Sequence, residues 1–343
     1  RKIYMQIGIF NYYQEFNTQN KIFDPNTYTI GENLGYPVML LKAELNKIGI
    51  KIDTLDIHPI EKYDKILFLD FPNPKKISLN ELRKIGKELY LIILESPIIK
   101  PNNWKKKNHK FFKKIFTWNS EIVDGEKYIH MNLTNKISSD FDFAASKKNL
   151  CTLIVANKTS LNKKELYNER KKAIRWFEKN HPSEFDLYGM NWDQRIFKRP
   201  FSIFNRFDFF KKLFYQKYSS YQGPVKSKKV VLAQYKFCIC YENAKNIPGY
   251  ITEKIFDCFF AGCVPIYLGA PDIAEQIPVN TFIDKRDFKT YEALYAFISN
   301  MGDEEYLGYL KNIKAFLNSK KAYKFSAENF VDTIIKTLDL KKQ

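Results

Sequence analysis

The densest chemistry in this chain lies in Tyr235–Asp287. An apolar run, Tyr235–Tyr241, ends in Glu242-Asn243, and a loop holding Pro248 and Gly249 follows. Tyr250, Thr252, Glu253 and Lys254 then precede Ile255, Phe256, Phe259 and Phe260, which recur at helical spacing. Thr252 suits an N-cap, Gly262 closes the helix, and Pro265 enters the next apolar run, Val264–Leu268. Tyr250, Glu253 and Lys254 therefore fall at a helix N-terminus beyond the C-terminal end of a strand. Free amides and the positive end of the helix dipole make such a place a diphosphate site. Lys254 would add a full positive charge, and Glu253 could accept hydrogen bonds from sugar or ribose hydroxyls. Local physics also admits a plainer role, with Glu253 offsetting the dipole and Lys254 in solvent.

These residues need a frame. Strand-length apolar runs at Ile3–Phe10, Lys51–Ile57, Lys65–Phe71, Tyr90–Glu95 and Ile115–Trp118 alternate with helical patterns at Pro37–Ile48 and Leu79–Glu88. A polar stretch, Asn132–Asn149, breaks the series and reads as a linker. Strands are then predicted at Leu150–Ala156, Phe185–Tyr188, Tyr235–Tyr241, Val264–Leu268 and Thr281–Ile283. Helices are predicted at Lys164–Asn180, Thr290–Asn300, Glu304–Leu317 and Ala327–Leu338. Repeated βα alternation predicts an α/β protein of two parallel-sheet, Rossmann-like lobes facing a central cleft, with ligands off the C-terminal strand ends. No internal repeat is present.

The 343 residues suit two domains, and 45% apolar with 27% charged residues excludes a disordered chain or a disulfide-dense scaffold. Apolar runs fall far short of the ~18–20 residues that span a bilayer, and no signal-peptide pattern is present. The chain begins at Arg1 rather than Met, as a trimmed piece of a longer chain would. Five Cys (151, 238, 240, 258, 263) in apolar strings, with no CxxC pair, read as buried reduced thiols and point to a cytoplasmic setting. The net charge is +18, and of 56 basic residues only 8 are Arg. A solvated lysine surface, an anionic membrane and a polyanionic ligand would each account for it. No nucleic-acid module is present, and most aromatics sit inside strand and helix patterns, so nucleic acid is not an expected partner.

The Tyr235–Asp287 segment resembles the donor motif of the family 10 glycosyltransferases, the α1,3/4-fucosyltransferases. The resemblance runs through Tyr241-Glu242-Asn243, Tyr250-Ile251-Thr252-Glu253-Lys254 and Ala261-Gly262-Cys263-Val264-Pro265-Ile266-Tyr267-Leu268-Gly269, with echoes at Phe282-Ile283-Asp284 and Asp287-Phe288. The loop between Asn243 and Tyr250 is about one residue longer than the family pattern. Upstream, Leu153-Ile154-Val155-Ala156-Asn157 resembles the strand that opens the donor domain. Arg170 stands where the family keeps a diphosphate-binding Arg, though by itself it reads as a surface helix residue. Phe185-Asp186-Leu187-Tyr188-Gly189 also matches. Leu94-Glu95-Ser96-Pro97 and Phe116-Thr117-Trp118-Asn119 are similar to segments of eukaryotic members, where the Glu is taken as the catalytic base. Recognisable motifs cover about residues 90–318.

The resemblance implies a GT-B glycosyltransferase of bacterial type. Residues 1–145 would be the acceptor domain and 146–318 the GDP-fucose domain, with 319–343 a C-terminal helix packing toward the first lobe. It implies inverting transfer of L-fucose from GDP-fucose to GlcNAc or Glc of an oligosaccharide or glycolipid, α1,3 or α1,4, in lipopolysaccharide or Lewis-type glycans. Glu95 would be the base and Glu253 a second catalytic carboxylate. Ala156, Asn157, Arg170, Asn243, Tyr250, Glu253 and Lys254 would bind the donor, and Trp118 and Asn119 the acceptor. No cofactor is required on this reading, and Mn or Mg would at most stimulate. Asp140-Phe141-Asp142 has a metal-motif spelling but lies in the polar stretch. Lys105–Lys107 and Lys110, Lys113 and Lys114 around Phe111-Phe112 suit peripheral attachment to an anionic membrane, or equally a solvated face over a buried Phe pair. A glycosyltransferase using another nucleotide sugar is the alternative; a nucleic-acid-binding protein is the remote one.

Overall fold

The computed structural model describes residues 5–28, 33–137, 147–198 and 200–340. Asp140-Phe141-Asp142 lies outside the described residues. The chain forms two compact units. One comprises the chain through Ile137, Pro248–Tyr250 and the chain from Ala322; the other comprises Ser138–Ile247 and Ile251–Lys321.

In the first unit, β1 (Gln6–Asn11), β2 (Lys51–Thr54), β3 (Lys65–Leu69), β4 (Glu88–Ile92), β5 (Lys114–Thr117) and β6 (Tyr128–His130) form one sheet. Its order is β2-β1-β3-β4-β5-β6, and every pair is parallel. A parallel sheet is covered on both faces, which is why its strands read as unbroken apolar runs. On β3, Leu67 and Leu69 face a core with Val38, Leu41 and Leu45 of the Tyr36–Lys47 helix and Phe330, Val331 and Ile334 of the Ala327–Thr337 helix. Ile66 and Phe68 face the other core, with Leu79, Leu82 and Phe112. The Ala327–Thr337 helix is tied in by Asn135, whose amide donates to Phe325 O at 2.7 Å and whose carbonyl accepts from Ala327 N at 3.1 Å.

In the second unit, β7 (Asn149–Ile154), β8 (Phe185–Tyr188), β9 (Tyr221–Gly223), β10 (Tyr235–Tyr241), β11 (Val264–Leu268) and β12 (Ile283–Asp284) form an all-parallel sheet. Its order, β12-β11-β10-β7-β8-β9, reverses direction at β7. The crevice beyond β7 and β10 is the topological switch point, where ligands bind in this architecture.

The expected α/β class with two parallel sheets is present. Strands 185–188, 235–241 and 264–268 match residue for residue, and other ends move by a few positions. The Leu79 helix ends at Lys84, earlier than expected, because Gly86 turns the chain at φ +76° into β4. The three-residue strands β6 and β9 were not expected; runs this short carry too little pattern. Phe112 is buried against Phe68 and Phe71, so the basic 105–114 segment carries a solvated face over core phenylalanine. All five Cys are free and buried. Among the described residues, no helix is long and apolar enough to cross a membrane.

Candidate active site

In the first unit, the C-terminal ends of four strands converge. Tyr12 and Tyr13 follow β1, Asp70 follows β3, Glu95 lies three residues past β4, and Trp118 follows β5. Glu95 is half-buried. The Tyr13 hydroxyl donates to its Oε1 at 3.1 Å, and burial together with the Glu95 charge pushes the phenol up from its usual range. Tyr13 therefore stays protonated and acts as a donor.

The Glu95 backbone rests on Asp70. Asp70 Oδ1 accepts from Leu94 N at 2.8 Å, Glu95 N at 3.1 Å and Asn103 Nδ2 at 2.6 Å. Asp70 is buried and has φ +62°, a left-handed conformation that Asp tolerates better than most residues. Burial, with the Glu95 charge adding, pushes its carboxyl up to about 6, against the pull of those three donors. Trp104 and Trp118 donate their indole N–H groups to Glu95 O and Leu94 O, at 3.1 and 3.2 Å. Lys100 lies buried over the Tyr12 ring, and burial lowers its ammonium to about 8.

Trp118 and Asn119 are the expected acceptor contacts. The Trp118 side chain is fully buried between Trp104 and Tyr250, with ring centroids at 4.9 and 4.8 Å. It has no exposed face to offer a ligand and instead braces the Glu95 loop. Asn119 is also buried, and its Oδ1 caps the Ser120–Ile122 turn by accepting from Glu121 N at 3.0 Å. Tyr250 is buried against Trp118. Gly249, at φ +74°, lets the chain pass, since a Cβ there would stand 2.0 Å from Trp118 O.

In the second unit the switch point is built around Glu242, the residue after β10. Its side chain is fully buried. Oε1 accepts from Thr252 N at 2.8 Å, and Oε2 accepts from Thr252 Oγ1 at 2.8 Å and Lys254 Nζ at 3.2 Å. Thr252 in turn caps the Glu253–Phe260 helix, its Oγ1 accepting from Lys254 N at 3.4 Å. The charges alternate from here. Lys254 lies 3.5 Å from Glu253 and Lys228 lies 2.8 Å from Asp257. Glu253 also feels Lys228: against the desolvation of its partly enclosed carboxyl, the Lys254 and Lys228 charges hold it down at about 2. Glu253 keeps 46% of its side chain exposed and Lys254 16%. Both stand at the helix start with part of the side chain exposed.

Of the other expected donor residues, Arg170 and Asn157 are buried and Asn243 and Ala156 are half-buried. Arg170 is 2% exposed, and its Nη2 donates to Tyr241 O at 2.6 Å and Asn243 Oδ1 at 3.1 Å. It holds the end of β10 and orients Asn243, whose carbonyl accepts from Leu166 N at 3.1 Å. Asn157 is buried, and its Nδ2 donates to Asn191 O at 3.0 Å, tying the end of β7 to the next loop. Ala156, beside it, is half-buried. Gly269 makes the close approach, since a Cβ there would sit 2.5 Å from Glu242 Cγ.

Asp70, Tyr13, Lys100 and Glu242 were not among the expected site residues. Asp70 and Tyr13 lie before residue 90, where no motif is recognisable, and Lys100 lies just past Glu95-Ser96-Pro97. Glu242 is inside the donor motif, but nothing in the spelling distinguishes a buried bracket from a ligand contact. Lys171, in the Tyr167–Asn180 helix, is lowered to about 8 by burial and then by the Arg195 and Lys198 charges.

Comparison with known proteins bears on this geometry. Residues 144–335, more than half the chain, match the family model for the C-terminal part of glycosyltransferase family 10 (fucosyltransferase). An alpha-(1,3)-fucosyltransferase, FucT, of Helicobacter pylori is 40% identical over 74 residues, which cover 22% of this chain and only 15% of that protein. A solved alpha1,3-fucosyltransferase with GDP-fucose superposes with a TM-score of 0.52 at 15% identity, over 99% of this chain and 91% of that one. A DNA-modifying beta-glucosyltransferase superposes with a TM-score of 0.58 at 14% identity, over 98% and 100%. Similarity at this level shows the two-unit Rossmann-like fold and does not choose a donor.

Proposed function

The chain belongs to glycosyltransferase family 10, the fucosyltransferase family, and from that premise we propose that it transfers L-fucose from GDP-fucose to a glycan hydroxyl. The acceptor is a GlcNAc or Glc residue, the link α1,3 or α1,4, and the anomeric carbon inverts. One observation carries the proposal: a cation and an ionised carboxylate, Lys254 and Glu253, stand side by side on a capped helix start at the switch point of the second sheet.

Each group has a task. The amides of the Glu253 helix start and the Lys254 ammonium stabilise the departing GDP diphosphate, where negative charge grows as the bond to fucose breaks. Glu253, held ionised, accepts a donor hydroxyl or faces the positive charge that develops on the sugar ring. Glu95 takes the proton from the attacking acceptor hydroxyl. Arg170 and Asn157 act from behind, positioning Asn243 and the β7 loop. Tyr250 and Trp118 hold the Glu95 loop in shape. The protein's own cations cover the role that a metal plays elsewhere, so Mn or Mg is stimulatory at most. The acceptor belongs to lipopolysaccharide or Lewis-type surface glycan, and the enzyme works on the cytoplasmic side.

A second reading keeps the reaction class and changes the donor. A helix-start cation and free amides suit the diphosphate of any nucleotide sugar, so these groups do not by themselves select GDP-fucose. Thermal-shift titration with GDP-fucose, GDP-mannose, GDP and UDP-sugars separates the two. Stabilisation by GDP and GDP-fucose is expected; stabilisation by UDP-sugars alone would overturn the proposal.

A further inference from the structure

Between β8 and β9 the chain makes a long excursion, residues 189–220, whose middle is unlike any other surface among the described residues. The 3-10 turn Phe201–Arg206 and the helix Asp208–Leu213 contain no buried residue. Phe201, Ile203, Phe207, Phe209, Leu213 and Phe214 are 49–68% exposed. Among the described residues no other Phe stands so exposed, and the remaining exposed large apolar side chains are scattered along the chain. Scattered exposure is ordinary; concentration within fourteen consecutive residues marks an interaction surface.

Basic side chains are interleaved with these rings. Arg195, Arg206, Lys212 and Lys217 are exposed, and Asp208 is the one acidic residue between 195 and 217. Asp208 is already paired with Lys211 at 2.6 Å. The half-buried Phe204 and Phe210 pack on each other with centroids at 4.9 Å, and Phe197 packs on Phe204 at 5.7 Å. The excursion thus has a small aromatic core of its own beneath the exposed rings. Its root is fixed at both ends. Asn157 Nδ2 donates to Asn191 O at 3.0 Å, and Arg175 Nη1 donates to Lys217 O at 2.8 Å.

We propose that this excursion docks the protein on a membrane surface carrying anionic lipid. The exposed rings and aliphatic side chains enter the headgroup–acyl boundary while the interleaved cations pair with lipid phosphates. Charge selects this occupant over a second copy of the chain, because two such basic surfaces repel. The exposed Ile203 and Leu213 favour lipid over nucleic acid, since base stacking has no use for aliphatic side chains.

Sedimentation of the full chain with lipid vesicles tests the proposal. The protein is expected to pellet with vesicles of mixed phosphatidylcholine and phosphatidylglycerol, weakly with phosphatidylcholine alone, and less as salt rises. Phe207→Ser/Phe209→Ser/Leu213→Ser, and separately Arg206→Glu/Lys212→Glu, should each weaken binding by roughly tenfold or more. Because these side chains are largely in solvent, thermal unfolding of both variants should match that of the parent chain, and donor-induced stabilisation should persist. Equal binding by parent and variants, or none by the parent, would overturn the proposal. So would a concentration-dependent dimer, or tight binding of a single-stranded oligonucleotide, that the serine substitutions abolish.

Discussion

Asp70 holds Glu95 by its backbone: one buried carboxylate oxygen accepts the amides of Leu94 and Glu95 and the side-chain amide of Asn103. The proposed base is therefore set in place by a second acid that is itself strained in φ and pushed up to about 6 by burial. That arrangement has a sign. The folded state retains a proton on Asp70 that the unfolded chain releases near its ordinary value of 3.8. Between about pH 4 and 6 the native protein binds more protons, so this group's contribution to stability falls as pH rises, by a total of order 3 kcal/mol. In Asp70→Asn, where the side chain can still accept the two backbone amides, that fall should vanish. Urea unfolding of both proteins from pH 4 to 7 checks it; parallel curves would contradict it.

Glu95→Gln should keep donor-induced thermal stabilisation and lose transfer by about 10²–10⁴-fold. Radiolabelled transfer beside a binding assay separates the two effects. Turnover at the parent rate would place the base elsewhere.

Tyr13→Phe removes the 3.1 Å hydrogen bond to Glu95 Oε1. A donor to a carboxylate favours its charged form, so losing the donor raises the carboxyl's pKa. The acidic limb of the pH–rate profile should move to higher pH, with donor affinity unchanged. An unshifted limb would mean that Tyr13 does not tune the base.

Lys254→Ala should weaken GDP binding, and it should also destabilise the fold. Glu242, fully buried, would lose the ammonium that compensates it, at a cost of about 3–5 kcal/mol. Glu242→Gln/Lys254→Ala should recover much of that stability while leaving GDP affinity low. Chemical denaturation with GDP titration of the single and double variants tells folding loss from binding loss.

Gly249→Ala should destabilise the first unit by about 1–3 kcal/mol, since φ +74° and a Cβ 2.0 Å from Trp118 O are both unfavourable. A shift in the tryptophan near-UV circular dichroism should accompany the lowered melting temperature.

Much of this protein was legible in its spelling. Strands buried on both faces announce themselves as apolar runs, which is why Tyr235–Tyr241 and Val264–Leu268 could be bounded to the residue. The helix start at Glu253 was readable because a Thr cap and a helical apolar stripe are local signals. The short strands β6 and β9 were not, because three residues carry no period.

The sequence by itself determined where the candidate groups stand: Glu95 just past the end of a strand, and Glu253 and Lys254 at the start of a helix. Only the tertiary structure decided which expected residues face solvent and which brace from behind. Arg170, Asn157, Trp118 and Tyr250 are all buried: Arg170 Nη2, Asn157 Nδ2 and Trp118 Nε1 donate to backbone carbonyls, and the Tyr250 ring packs on Trp118. Burial and hydrogen-bond commitment depend on partners distant in sequence, Asp70 for Glu95 and Tyr241 for Arg170. No spacing rule within one segment can supply them. The same physics separates the two basic, Phe-bearing segments. One folds its Phe112 into the core, and the other, with nothing among the described residues packed over it, leaves Phe201, Phe207, Phe209 and Phe214 in solvent.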